Sequence, residues 1–397
     1  MDNHDILAIV AATAAAAATT VSAAAITVID DISTSNSNNS RRYTYPGGIA
    51  YATRVVEYFL GGSEEQFAAL FRMGKADFHR LAKWLRDGEW VKDTIYQSVE
   101  QQLLVFLYLV GQGETQRNTA HLFQIAQSTV GTIVHNLLTA MVALHSEVIT
   151  QPDQQYVSPT IELSPRDHCF TGCIGAVDGT LLKAHIPLKN QKRFFCRKGY
   201  ISQNVLAAVN FDGLFVYVMA GAEGSINDAS LMKQAISRSF KVPTGRYYLG
   251  DAGFACSNGI VTPYPGERYH LREFAQGSVA PATRKELYNI YHSRLRVVVE
   301  KAFGKLKRTW KILRAATPEY SFREQIRFVY ATTALYNFVQ KGDGSGESEV
   351  DEEQLLARAS GRADITVGNK LPIEIRHNTA IAVWENRAAY LAARDNN

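Results

Sequence analysis

Three carboxylates stand in settings that a solvent-facing acid would avoid. Asp178 follows the apolar run of CIGAVDG (173–179), Asp251 follows that of YYLGDAG (247–253), and Glu300 sits beside valines in VVVEKAF (297–303). Each has a bland explanation on its own. Asp-Gly is a strong turn signal between strands, so Asp178 reads locally as the start of a hairpin at Gly179. Asp251 reads as a turn cap, and Glu300 as the partner of Lys301 or Lys307. Taken together, two aspartates at strand ends and a helical glutamate form the donor set of a two-metal phosphodiester site. Small, hard Mg²⁺ prefers carboxylate oxygens and keeps waters in its octahedron. Two such ions about 3.5–4 Å apart clamp the entering and leaving oxygens of an in-line displacement. They also offset the repulsion among clustered carboxylates.

A second clue surrounds Glu300. Arg294, Arg296, Lys301, Lys305, Lys307, Arg308, Lys311 and Arg314 crowd one helical stretch, whereas the whole chain carries a net charge of only +4. A basic helix is often a solvated face. Beside a carboxylate centre, contact with a phosphate backbone is the better account.

The elements that must position these groups change character along the chain. Residues 1–48 are a low-complexity extension and linker, Ala-rich over 6–29 and Ser/Asn-rich over 30–48. The uncharged Ala/Thr run is long enough to span a bilayer, but it is weakly apolar and no positive segment precedes it, so no membrane role is expected. Residues 49–160 read as helices, from Phe67–Leu85 at i, i+3, i+4, i+7 spacings to a helix over 98–113 that opens at Ser98 and closes at glycines.

Within that region, one short helix around Asn118–Phe123, a turn at Gln124–Ala126 and a second helix from Gln127 or Ser128 have the layout of a helix-turn-helix. That layout would expose Gln127, Ser128, Thr129 and Thr132 to bases and Arg117 to a phosphate. An ordinary helical hairpin fits the pattern equally well. From about 170 to 250 the period becomes that of short strands, with a helix at 228–240, and argues for a buried mixed sheet. Helices follow at about 292–314 and 321–340, then an acidic Gly-containing linker (341–376) and a final amphipathic helix (377–394).

The composition is that of a folded protein, with 46% hydrophobic and 20% charged residues over 397 positions. The four cysteines include no C-x-x-C pair, which argues for free thiols in a reducing compartment rather than a zinc site.

Five ordered segments carry a family resemblance: GAVDGT (175–180), GSINDASL (224–231), YYLGDAGF (247–254), TPY (262–264) and RVVVEKAFGKLKRTW (296–310). They resemble the DDE nuclease domain of PIF/Harbinger-type transposases and the Harbinger transposase-derived nucleases. FRMGKADFHRL (71–81) and AQSTVGTIVHNLL (126–138) extend the resemblance to about residues 60–340, and the 48 residues between Asp251 and Glu300 match the family spacing. Ala229 and Phe254 stand where that family often has Ser and Tyr.

The resemblance implies an α/β fold with an RNase H-like mixed sheet flanked by helices (165–340), preceded by the helical domain. It implies Asp178, Asp251 and Glu300 as the catalytic, metal-binding triad, with two divalent ions, Mg²⁺ or Mn²⁺. Arg296 would orient Glu300 or meet the scissile phosphate. Asp228 matches a family motif, although its position suits a helix N-cap. Lys183 and His185 would support the site, and Lys301, Lys305, Lys307 and Arg308 would contact DNA. The implied activity is cleavage of DNA at transposon ends with possible strand transfer, by a nuclear homo-oligomer working with a separate Myb-like DNA-binding partner. The alternative is a domesticated, non-catalytic DNA- or chromatin-binding protein that keeps the fold.

Overall fold

The computed structural model describes residues 48–267, 281–342 and 371–388. The Ala-rich segment and most of the acidic linker lie outside these residues. Among the described residues, no helix is long and apolar enough to cross a membrane. The chain divides into two compact units. One joins the residues up to Val148 with Lys307–Val339, and the other joins Ile149–Leu306 with the residues from Gln340 onward. Residues 307–339, grouped by sequence with the nuclease segment, therefore cluster with the N-terminal helices.

The first unit is helical: α1 (Gly48–Gly61), α2 (Glu64–Phe71), α3 (Lys75–Asp87), α4 (Val99–Gln112), α5 (Gln116–Phe123) and α6 (Gln127–Val148). Helix α4 is apolar almost all round and is correspondingly buried. The Ser98 side chain accepts from the Gln101 amide at 3.2 Å at one end, and Gly113 takes a left-handed φ of 69° at the other. Helix α5 is capped by Thr115 and stopped by Gln124, whose φ is 51°. The short helix, three-residue turn and long helix fall where the sequence places them.

The same unit contains most of a helix late in the chain, α9 (Phe322–Gly342). The Asn337 amide donates to the Val148 carbonyl at 3.1 Å, and Arg80 stacks on the Phe338 ring 3.9 Å from its centroid.

The second unit is built on a five-stranded sheet of β1 (Cys173–Lys183), β2 (Ser202–Val209), β3 (Phe215–Glu223), β4 (Tyr247–Leu249) and β5 (Ile260–Val261). The order is β3-β2-β1-β4-β5, antiparallel among the first three and parallel from β1 through β4 to β5. The hairpin expected at Gly179 is absent. Asp178 pairs with Ala207 and Gly179 with Leu206, so the two strands read from CIGAVDG and LLKAHIP are a single strand of 11 residues. A ladder of paired amides along β2 outweighs the local Asp-Gly turn preference.

One sheet face, with Val177, Leu206, Ala208 and Tyr248, packs on Leu231, Met232 and Ala235 of α7 (Asp228–Arg238). The other is covered by α8 (Arg284–Thr309), where the Phe303 ring lies 5.7 Å from that of Phe215. Helix α8 begins eight residues before its expected start and ends before Lys311 and Arg314. The C-terminal α10 (Pro372–Glu385) also starts early, with Pro372 in its first turn. All four cysteines are free, and only Cys256 is not buried.

Candidate active site

Strand register creates the site. Ala176 lies beside Leu249 in the parallel β1–β4 pair, so two residues further on Asp178 stands level with Asp251. Strand β4 has ended there while β1 continues, and the carboxyl ends of parallel strands are where ligands of open α/β sheets gather. The backbone at each aspartate is turned in to hold its carboxylate. The Gly179 amide donates to Asp178 Oδ1 at 2.9 Å, and the Gly253 amide donates to Asp251 Oδ1 at 2.8 Å.

Glu300 arrives from α8. The buried face of that helix includes Leu295, Val299, Phe303 and Leu306, which leaves Arg296 and Glu300, four residues apart, to share another face. The helix is pinned near its start by polar groups buried in the core. Asn289 exchanges hydrogen bonds with Tyr264 of the TPY segment at 2.8 and 3.1 Å, and a His292 ring nitrogen lies 3.1 Å from the Val261 carbonyl. Arg376 of α10 donates to the Pro263 carbonyl at 3.1 Å and locks the same segment from outside.

Arg296 is the centre of the electrostatics. Its guanidinium is 11% exposed, lies 3.2 Å from Asp178 Oδ2 and also pairs with Glu300 Oε1. Asp178 is 21% exposed and Glu300 is 49% exposed. Burial pushes the Asp178 carboxyl up to about 6. Arg296 and the Gly179 amide pull against that, and the neighbouring charges of Asp251 and Glu300 add to it. Asp178 thus feels both other acids.

Asp228 also belongs to this neighbourhood. The N-cap of α7 is Asn227, whose side chain accepts from the Ser230 amide at 2.8 Å, so Asp228 is not the cap its position suggested. A Cβ on Gly179 would lie 3.1 Å from Asp228 Oδ1, and one on Gly253 would lie 2.7 Å from Asp228 Oδ2. The Asp228 carboxyl therefore nestles between the two glycines that follow the strand-end aspartates. Burial and then the charge of Asp251 raise its pKa, and Arg197 opposes them.

The residue types suit a hard divalent cation, because mutually repelling oxygen donors, only partly offset by Arg296 and Arg197, are brought near one another by β1, the segment after β4, α7 and α8. Among the described residues, no three acidic, histidine or cysteine side chains are arranged to hold a metal ion as they stand. At this site the guanidinium of Arg296 occupies the space between Asp178 and Glu300. Binding a cation there would require that guanidinium to move aside.

Other sequence candidates fall elsewhere. Lys183 is five residues along β1 from Asp178, about 16 Å at strand rise. An odd step puts it on the opposite face, where its ammonium stands 5.9 Å from the Tyr200 ring centroid. His185 is exposed beyond the strand end. Lys183 is thus turned away from the carboxylates. On and after α8, Arg294 pairs with Asp167, and Arg314 donates to the carbonyls of Lys307 and Arg308 at 2.9 and 3.0 Å. Lys301, Lys305 and Arg308 are exposed, with Lys305 bonded to Gln340 at 2.7 Å, and Lys307 is half-buried. In the helical unit Arg117, Gln127, Ser128 and Thr132 are exposed and Thr129 is half-buried. Arg197, whose charge reaches Asp228, had no periodic pattern to mark it.

Comparison with known proteins bears directly on this arrangement. Residues 177–337 match the DDE superfamily endonuclease family. The chain carries a DDE superfamily endonuclease domain. With its strand order and flanking helices, this domain is RNase H-like. Residues 50–143 match a separate domain of unknown function, DUF8040.

Among curated proteins, the chain is 23% identical to Protein ALP1-like of Arabidopsis thaliana over 309 residues, which cover 70% of this chain and 72% of that one. It is 25% identical over 246 residues to human HARBI1, given a nuclease name, covering 60% and 67% of the two chains. It is 21% identical over 259 residues to the Arabidopsis protein Antagonist of like heterochromatin protein 1, covering 61% and 62%. These relatives bear out the Harbinger-type resemblance. No solved structure matches the chain.

Proposed function

We propose that this chain is a Mg²⁺- or Mn²⁺-dependent DNA endonuclease of the DDE transposase type. The observation that carries the reading is that Asp178 of β1 and Asp251, two residues past the end of the neighbouring parallel strand β4, stand close enough for their charges to interact, with Arg296 of α8 pairing with both Asp178 and Glu300. Asp178, Asp251 and Glu300 would hold two divalent ions, with Asp228 beside them. When bound, such ions supply a nucleophilic water at neutral pH and neutralise charge on the phosphate.

The protein's own part is positional. Gly179 and Gly253 amides orient the aspartates, and Arg296, released from Asp178, is placed to pair with a phosphate oxygen. In the hydrolytic step water bonds to phosphorus and the bond from phosphorus to the 3′ oxygen breaks. This leaves a 5′-phosphate and a free 3′-hydroxyl able to attack target DNA. The exposed residues of α5 and α6, with Lys301, Lys305, Lys307 and Arg308, would hold DNA. A Myb-like partner protein, a homo-oligomer handling two ends, and action in the nucleus complete the reading.

The test is nicking of plasmid carrying candidate terminal repeats, with divalent metal and the partner present. Asp251→Ala and Glu300→Gln should lose at least about 100-fold, the upper end of what disturbing a metal's outer shell costs. If wild type and both variants are equally inert, catalysis is abandoned. A second reading would then stand, a domesticated DNA- or chromatin-binding protein. It draws on the guanidinium already seated among the carboxylates and on relatives whose names mention no nuclease.

A further inference from the structure

The connection between β1 and β2 has features that the carboxylate site does not use. From Gly179 to Phe211 the sequence contains no acidic residue, yet it holds Lys183, Lys189, Lys192, Arg193, Arg197 and Lys198. After a single helical turn at Gln191–Phe194, the chain folds into a tight hairpin closed by a bridge between Phe195 and Ile201. The Cys196 amide donates to the Tyr200 carbonyl at 3.0 Å, and the Gly199 amide to the Cys196 carbonyl at 3.0 Å. Gly199 completes the turn with a φ of 81°, which leaves Arg197 and Lys198 exposed at the tip.

Phe195, at the base of this hairpin, is 55% exposed among the cations. An exposed aromatic ring in water forgoes the burial that such a side chain normally gains.

The hairpin is fastened to the site. Arg193 pairs with Glu223, and the Ser225 hydroxyl donates to the Arg193 carbonyl at 2.8 Å. Gly224 packs so closely that a Cβ there would lie 2.7 Å from the Phe194 carbonyl. This strapped loop runs directly into Asn227 and Asp228. The charge of Arg197 acts on the Asp228 carboxyl, so the tip stands near the acidic centre.

We propose that residues 189–200 form a DNA-gripping arm, in which the cations hold a phosphate backbone beside the carboxylates and Phe195 stacks on an unpaired base. The inference rests on the nuclease reading, since it takes that reading's substrate as its ligand. Charge complementarity selects a polyanion. The exposed ring selects single-stranded or frayed DNA, because a base offers its face to a side chain only when unstacked.

The experiment measures fluorescence-anisotropy binding of the full chain, without divalent metal, to a mixed-sequence oligonucleotide as single strand and as duplex, over a salt series. Lys192→Ala/Lys198→Ala removes two cations outside the carboxylate site. It should flatten the log–log salt slope by about 1.4 for single strand and about 1.8 for duplex. Phe195→Leu should weaken single-strand binding roughly 5- to 150-fold and leave duplex binding unchanged. Phe195→Tyr should restore it.

If wild type binds DNA while these variants keep its slope and affinity, the arm is refuted. The nuclease reading then survives, provided that wild type nicks and Asp251→Ala does not. If wild type binds neither form of DNA, the arm is refuted as well, while the nuclease reading is decided separately by the nicking assay.

Discussion

Asp178 should make the protein less stable at neutral pH than its amide would. The carboxyl is displaced from its ordinary 3.8 to about 6, with burial the largest cause. At 1.36 kcal/mol per tenfold change in ionisation, that displacement costs the folded state about 3 kcal/mol when the group is fully charged. The folded protein holds the proton more tightly than the unfolded chain, so the cost is absent below pH 3.8 and complete above about 6. Asp178→Asn keeps an oxygen for the Gly179 amide and leaves Arg296 its pairing with Glu300.

In metal-free buffer at pH 8, Asp178→Asn should therefore unfold with up to about 3 kcal/mol more stability than wild type. The difference should shrink through pH 6 and vanish near pH 4. Chemical denaturation followed by circular dichroism at several pH values reads this directly. Added Mg²⁺ at about 100 times its dissociation constant should stabilise wild type by about 2.7 kcal/mol and the variant by less. A variant less stable than wild type at pH 8, or a difference independent of pH, would refute the electrostatic account of the site.

Gly175→Ala should destabilise by about 2–5 kcal/mol, combining overpacking with backbone strain. Gly175 has a φ of 151°, and a Cβ there would lie 2.2 Å from the Val209 carbonyl; an unchanged urea midpoint would contradict this. Asp228→Asn should fold normally yet nick DNA roughly 10- to 100-fold more slowly, the range for groups that support metal ligands. Full single-turnover activity would return Asp228 to a purely structural role.

The acids were legible because apolar strands leave few reasons for a carboxylate, and Glu300 with Arg296 follows from helical spacing alone. The pairing of Asp178 with Ala207 was not legible, since a long-range ladder overrode a local Asp-Gly signal. The first turns of α8 were hidden because Glu286, Asn289 and His292 are polar yet buried, which erases the apolar period. The Asn227 cap displaced Asp228 by one residue, a distinction finer than the pattern of caps can make. The hairpin at 195–201 is too short for any periodicity.

The order in which the chain is made carries its own consequence. The helical unit is left at Val148 and resumed only at Lys307–Val339. During synthesis α1–α6 must wait for α9, which supplies Phe338 to Arg80 and Asn337 to Val148, until some 190 further residues have left the ribosome. The second unit is likewise finished only by residues beyond Gln340. No contiguous fragment contains one unit whole without also carrying part of the other. A truncation at either apparent boundary would strip apolar helix faces of their cover and yield an aggregation-prone piece rather than a domain.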